Sequence, residues 1–440
     1  MRGGRGQVTA FFLIGLAVLL VFIIILLLRS VILARSVPNP ETLGQQYDAT
    51  LVKGYVDSCL DLAADDGFAR LGRQGGLLFR SQGGLSPESG RLNLPVHAVD
   101  ASGRATAEQV TLAFGLINDS GFPFHPQFPA ATGTEYTYPF PGVSLAEIAA
   151  RGQPWAGPQY DGAFGQYSLP PLCDPQGANN DSGSFRCPTP LFALPGQVST
   201  QQSLESFIGA NVKGCIDPAE LSSRLGAEVT MGQPNVTVTF TRRETLVTLD
   251  LPLTFTAESG TLKLSSFSRR YPARLEQLSW YALNLLKHAS KDPYFRINDS
   301  GNYSAIPGYD GFVVTQQNFS PAATLGQRRD LLLVTIADPG SRVGKSVWFF
   351  QFLLQDRAPV LDHLEDAAAG PVTITALDPD GDTLVATITG PDGILVAQLP
   401  LSPNPDQTES ATLSLTTPGS YNVSVVDPAG LADRQLFTVS

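Results

Sequence analysis

Residues Phe11 to Leu28 form an uninterrupted apolar run directly behind Met-Arg-Gly-Gly-Arg-Gly-Gln. From Val8 onward about twenty residues pass without a charge. At ~1.5 Å rise per residue such a helix crosses a ~30 Å hydrocarbon layer. Leu13, Ile14, Leu16, Val18 to Val21 and Ile23 to Leu28 leave no polar face, which excludes an amphipathic helix and favours a membrane span. The expectation is a short cytoplasmic head over 1–7 and a transmembrane helix over 8–35. Arg2 and Arg5 precede the span and Arg29 and Arg35 follow it, so the flanking charges alone give little orientation.

A secretory signal peptide is the rival reading, but its apolar region runs to about 7–15 residues and ends in a small-residue cleavage site. This run is longer, and no clear Ala-x-Ala follows it. Arg5-Gly6-Gln7 ahead of the apolar block resembles the class III signal of archaeal type IV pilin-like proteins. The resemblance implies cleavage between Gly6 and Gln7, with the helix retained. The Glu common at the fifth mature position of bacterial pilins corresponds here to Phe11. Processed pilin-like subunit and unprocessed anchor both stay open.

Asparagines and cysteines argue for which side holds the rest. Of thirteen Asn, seven begin an Asn-x-Ser/Thr sequon: Asn118, Asn180, Asn235, Asn298, Asn302, Asn318 and Asn422. Chance would give about two, so the excess points to glycosylation acceptors on an exported chain. Four Cys suit two disulfides in an oxidising compartment. Cys173 and Cys187 enclose a loop rich in Gly, Asn, Asp and Ser, which leaves Cys59 to meet Cys215 between two helical segments. Three pairings are nevertheless open. Zinc is the competing use, but it needs close Cys pairs or neighbouring His, and His97, His125, His288 and His363 are scattered. A net charge of −11 disfavours nucleic acid as a partner, because phosphate contacts need clustered Lys and Arg.

Beyond Ser36-Val37-Pro38-Asn39-Pro40, the spacing of Leu51, Val52, Tyr55, Val56, Cys59, Leu60 and Ala63 predicts a helix. Asp57, Asp61 and Asp65 recur at every fourth position on another face, read here as solvated. Gly72, Gly75 and Gly76 supply its stop. Residues 77–191 turn too often for long helices and read as loop-rich, with short apolar runs such as Val110 to Ile117. Ser199 and Gln202 form a capping-box pattern opening a second helix through Leu204, Phe207, Ile208 and Val212 to Cys215. Strands follow at Val236–Phe240, Leu246–Leu253 and Leu262–Phe267. After Pro272 comes an amphipathic helix with Leu275, Leu278, Ala282, Leu285 and Leu286, then strands at Leu331–Ile336 and Val347–Leu354. Gly340 to Ser346 imitates a phosphate loop, yet it has one residue too few between its glycines and continues into a strand, so it reads as a hairpin turn.

This order of parts, with Tyr55-Val56-Asp57-Ser58-Cys59-Leu60, the Gly75-Gly76 pair and Cys215-Ile216-Asp217, resembles an uncharacterised family of membrane-anchored proteins from small-genome, DPANN-type archaea. The resemblance covers roughly residues 5–356. It implies a location and an architecture and supplies no catalytic residues.

After Gln355 the texture becomes short strands separated by Asp378-Pro-Asp-Gly-Asp382, Pro391-Asp-Gly and Pro418-Gly-Ser, at intervals suited to a sandwich. Asp378 to Asp382 and Gly419 to Asp427 resemble immunoglobulin-like or polycystic-kidney-disease-type surface domains, which implies an adhesive or spacer unit. Asp378, Asp380 and Asp382 are the calcium candidates, although a full loop also needs a later bidentate acid and turns use Asp for local hydrogen bonds. No other cofactor is expected.

The fold class is thus an α+β ectodomain over 36–356, with a possible break near 195, behind one membrane helix, and an all-β sandwich over 357–440. The expected role is a non-catalytic surface protein in adhesion, envelope organisation or filament assembly. Its partners are the membrane, other surface proteins or glycans, and copies of itself. The alternative is an exported hydrolase acting on glycans or envelope polymers, since a chain with forty acids can hold a carboxylate pair.

Overall fold

A computed structural model describes residues 40–88, 93–99, 105–117, 166–167, 169–173, 198–257, 260–318 and 331–440. The apolar run, Gly6 and Gln7, the sequons at Asn118 and Asn180, and Cys187 lie outside the described residues. Among the described residues no helix is long and apolar enough to cross a membrane. In chain order the elements begin with α1 (Pro40–Arg73), β1 (Asn93–Val99), β2 (Ala105–Ile117), β3 (Gln166–Tyr167), α2 (Thr200–Cys215) and α3 (Pro218–Leu225). Next come β4 (Glu228–Met231), β5 (Asn235–Phe240), β6 (Thr245–Ala257), β7 (Gly260–Tyr271), α4 (Leu275–Ala289) and α5 (Ser300–Ser304). The body ends with β8 (Val313–Asn318), β9 (Leu331–Val343) and β10 (Ser346–Gln355). This is a mixed α+β architecture dominated by sheets.

Contacts divide the chain into two compact units, and α1, β6 and β7 contribute residues to both. Of the described residues, the smaller comprises those up to Ser58, Asp217–Gly232 and those within Leu251–Ser265. There, α3 opens on Asp217, whose carboxylate accepts the Ala219 N–H at 2.8 Å, and closes on Gly226 at φ 62°. Strand β4 pairs antiparallel with Leu253 to Thr256 of β6.

The larger unit holds everything else described. Its main sheet runs β1-β2-β10-β9-β8, with β3 beside β2. Strands β9 and β10 form an antiparallel hairpin around Gly344 and Lys345, as the hairpin-turn reading of Gly340 to Ser346 requires. Strand β2 pairs with β10 in parallel and so lies inside the sheet. The stretch expected to be loop-rich therefore supplies three strands. Helix α1 ends in a Schellman-type stop, the Gly76 N–H reaching the Leu71 carbonyl at 2.9 Å and Gly75 standing at φ 67°. Trp348 Nε1 donates to the Phe68 carbonyl at 2.9 Å. Leu286 of α4 and Phe352 both press on Gly115, where a Cβ would stand 2.3 Å from the Phe352 ring.

Helix α2 carries the full capping box: Gln202 N–H donates to Ser199 Oγ at 3.2 Å, and Ser199 N–H to Gln202 Oε1 at 3.3 Å. Gly67 opens room on α1 for Leu204 and Phe207. A disulfide joins Cys59 to Cys215 across a sequence separation of 156 residues, with Cα atoms 5.8 Å apart. The Asp61 face of α1 is not simply solvated. Arg269 of β7 donates to Asp61 from Nε at 2.8 Å and Nη2 at 2.6 Å, and the Tyr271 hydroxyl donates at 2.9 Å. Like charges at every fourth position are tolerable here because β7 brings a cation to one of them.

The C-terminal segment forms β11 (Val360–Leu361), β12 (Gly370–Leu377), β13 (Val385–Thr389), β14 (Leu395–Pro400), β15 (Ser402–Pro403), β16 (Glu409–Leu415), β17 (Gly419–Val426) and β18 (Ala432–Val439). One sheet is β11-β12-β16-β15 and the other β14-β13-β17-β18. Val372, Ile374, Ala386, Ile388, Val423 and Val425 alternate inward to make the shared core. Tyr421 stacks on Phe437 with ring centroids 5.8 Å apart and donates its hydroxyl to the Thr417 carbonyl at 2.8 Å.

Candidate functional site

Three strand ends meet at the root of the sandwich. Strand β10 leads into Asp356 and Arg357, β12 into Asp378-Pro379-Asp380-Gly381-Asp382, and β17 into Asp427. Arg357 is completely buried and all three of its guanidinium nitrogens are engaged. Nη1 donates to the Ala289 carbonyl at 3.1 Å. Nη2 donates to the carbonyls of Phe295 at 3.0 Å and Pro379 at 2.7 Å, and to Asp380 Oδ1 at 2.8 Å. Nε also faces Asp380, at 3.2 and 3.3 Å to its two oxygens. One side chain thus ties the end of α4 and the loop behind it to the first turn of the sandwich.

Asp378 organises that turn. Its Oδ1 accepts the backbone N–H groups of Asp380 at 2.8 Å, Gly381 at 2.8 Å and Asp382 at 3.0 Å. Gly381 stands at φ 86°, a conformation that side-chain-bearing residues avoid. The other oxygen, Oδ2, is buried with no hydrogen-bond partner. Asp427 repeats the pattern: Oδ1 accepts the Leu431 N–H at 2.9 Å, and Oδ2 is buried without a partner. Asp378 is 2% exposed and Asp427 6%.

Electrostatics follow from that burial. Desolvation pushes the Asp378 carboxyl up to about 7, with the Asp380 charge acting in the same direction. Asp356 is held well above the ordinary carboxylate range, first by burial and then by the charge of Asp380. Burial also raises Asp382, with Asp380 adding to it, and raises Asp427 against the pull of backbone N–H groups from Leu431, Gly430 and Ala429. Cations are fewer than acids: Arg357 is spent on Asp380, and Arg296 lies beside Gly381, its guanidinium carbon 3.5 Å from where a Cβ would stand. Ionising every carboxyl in place is unfavourable. Protons or a hard divalent cation relieve it, and carboxylate oxygens are what Ca²⁺ selects. Among the described residues no three acidic, His or Cys side chains already stand as a ligand set. The two orphaned oxygens are nonetheless the feature a cation would satisfy.

The calcium candidates read from sequence, Asp378, Asp380 and Asp382, lie in one turn, where Asp380 is the ion-pair partner of Arg357. Asp356 lies beside Asp380 and Asp382, and Asp427 near Asp382, on strand ends far apart in sequence. A signal for them existed in the acids that immediately follow β10 and β17, but local spacing does not mark it.

Of the sequons, Asn235, Asn298 and Asn422 are exposed, whereas Asn302 is half-buried and donates Nδ2 to the Tyr294 carbonyl at 3.4 Å. Asn318 closes β8. Cys173 is disulfide-bonded. A separate open cleft of about 390 Å³ is lined by Glu205, Ser206, Lys213, Gln233 and Asn235 among others. Its one carboxyl, Glu205, accepts the Val238 N–H at 2.9 Å and is raised by burial.

No family model matches the chain, and no curated protein matches it either. Solved structures match in part. An engineered protein is 20% identical at a TM-score of 0.17, over 20% of this chain and 21% of its own. CopC from Methylosinus trichosporium OB3b is 20% identical at 0.16, over 19% of this chain and 93% of its own. A putative membrane anchored protein from Corynebacterium diphtheriae is 12% identical at 0.16, over 48% and 42%. The chain thus spans about a fifth of the first of these and under half of the third. At TM-scores this low none of them bears on function.

Proposed function

We propose that the chain is a single-pass membrane-anchored surface protein, its N-terminus cytoplasmic and its bulk outside the cell, acting in adhesion, envelope organisation or pilin-like filament assembly without catalysis. The apolar run is the anchor, and other envelope proteins or glycans are the partners. The displayed part is the sheet-rich body and an immunoglobulin-like sandwich, and the acidic cluster is a calcium clamp that stiffens their junction. Asp356, Asp378, Asp382 and Asp427 hold the ion, while Arg357 keeps Asp380 out of it.

The observation that carries this reading is the pair of buried, unpartnered oxygens on Asp378 and Asp427. A buried polar group left unsatisfied costs about 1–3 kcal/mol, and extracellular calcium modules work at dissociation constants on the order of 10⁻⁴–10⁻³ M. An ion available outside the cell therefore suits a site that ties Ala289 and Phe295 of the body to Pro379 and Asp380 of the sandwich. The disulfide and the exposed sequons support the same compartment.

Protease treatment of intact cells, followed by mass spectrometry of the mature N-terminus, tests the location. Cleavage of the ectodomain with a chain starting at Gln7 supports pilin-like processing, and Met1 supports a plain anchor. A start beyond Leu28, or full protection from protease, would overturn the anchored reading.

A further inference from the structure

The outward face of the sheet β14-β13-β17-β18 carries two rows with apolar side chains. Pro400, Val385, Val426 and Ala432 form one, half-buried over its three inner members, and the other is more exposed. Registers place Leu395 opposite Thr389, Thr389 opposite Asn422, and Asn422 opposite Leu436, so these four residues cross the sheet side by side. Leu395 is 58% exposed and Leu436 56%. The next row along β17 is Gln398, Thr387, Ser424 and Arg434, with no large apolar side chain. Leu395 lies on the edge strand β14, where exposed apolar groups invite association with other chains, and Leu436 on β18, whose end at Thr438 and Val439 is already bonded to Ala367.

The asparagine in the middle of that row begins the sequon Asn422-Val423-Ser424. Val423 points into the core, so Asn422 and Ser424 share the outward face, and Asn422 is exposed. Directly opposed residues have Cβ atoms about 4.5–5.5 Å apart, which puts the first sugar on Asn422 across Leu436 on one side and Thr389 on the other. A pyranose ring has a C–H face that covers an aliphatic side chain and a hydroxyl rim that faces water. We propose that Asn422 carries an N-linked glycan whose proximal sugars cover this apolar row and keep the sandwich edge from pairing with other proteins. The inference rests on the export reading and adds to it the position and purpose of one modification.

Site-resolved glycopeptide mass spectrometry of the full chain from its native cells, together with size-exclusion chromatography, tests it. Sugar on Asn422 is expected in the wild type. Asn422→Gln and Ser424→Ala each remove it and shift the folded chain from its wild-type elution position to larger species, and adding Leu436→Ser to Asn422→Gln shifts it back. Circular dichroism confirms that each variant is folded. Sugar at Asn235 or Asn298 with Asn422 bare overturns this inference alone. So does a glycosylated Asn422 whose removal leaves elution unchanged. Sugar at no sequon overturns it together with the glycosylation argument for export, whereas the N-terminal test above judges the anchor independently.

Discussion

Arg357 is the residue on which the junction turns, because its buried guanidinium meets a carboxylate and three main-chain carbonyls at once. Removing one partner of a buried ion pair leaves the other uncompensated, typically at about 3–5 kcal/mol. Arg357→Met is therefore expected to lose about that much in urea unfolding of the full chain, and Arg357→Met with Asp380→Asn less. Equal losses would show that the pairing with Asp380 is not what matters. A second residue-scale prediction concerns pH. Asp433, buried in β18, is pushed up to about 7 by desolvation, against N–H groups from Leu361 and Arg434 that favour its charged form. A pKa raised on folding means that the contribution to stability is present below about 4 and is lost as pH rises through 7. Urea midpoints measured from pH 5 to 8 should fall in the wild type and fall less in Asp433→Asn. A rising midpoint would contradict the assignment.

Elements show what was legible in the sequence and what was not. The capping box at Ser199 and Gln202, the helix after Pro272 and the sandwich strands could be read because their signals are local. Strand β2 could not, since its place beside β10 depends on a parallel pairing across more than two hundred residues of chain. Asp378, Asp380 and Asp382 were visible as one turn, yet the arginine that pairs with Asp380 and the acids nearby, Asp356 and Asp427, arrive from other strand ends. Two glycines of α1 give a test at this scale. At Gly67 a Cβ would meet side chains and no backbone, Leu204 at 2.9 Å and the Phe207 ring at 3.1 Å, and Ala gains up to ~1 kcal/mol of helix propensity. At Gly72 it would meet the Phe349 carbonyl oxygen at 2.2 Å, which is backbone. Gly67→Ala should change the unfolding free energy by under about 1 kcal/mol, whereas Gly72→Ala should lose about 1–3 kcal/mol or more. Comparable effects at the two sites would mean that helix α1 does not approach β10 as described.

At the scale of the whole molecule, two ties hold the described body, a disulfide at one place and a buried ion pair at another. The Cys59–Cys215 bridge closes a loop long enough for chain-entropy models to assign about 5 kcal/mol, and it clamps α1 to α2 on the body side. Arg357 and the acids around it perform the corresponding task at the sandwich. In the proposed function a calcium ion completes the latter. Isothermal titration of Ca²⁺ into chelator-treated full-length protein near pH 7.5, paired with thermal unfolding, tests it most directly. Asp378→Asn preserves the Oδ1 that builds the turn while removing the ligand charge. One ion per chain is expected to bind with a dissociation constant on the order of 10⁻⁴–10⁻³ M and to raise the unfolding temperature, and Asp378→Asn is expected to lose both effects. No binding heat and an unfolding temperature indifferent to calcium would contradict it.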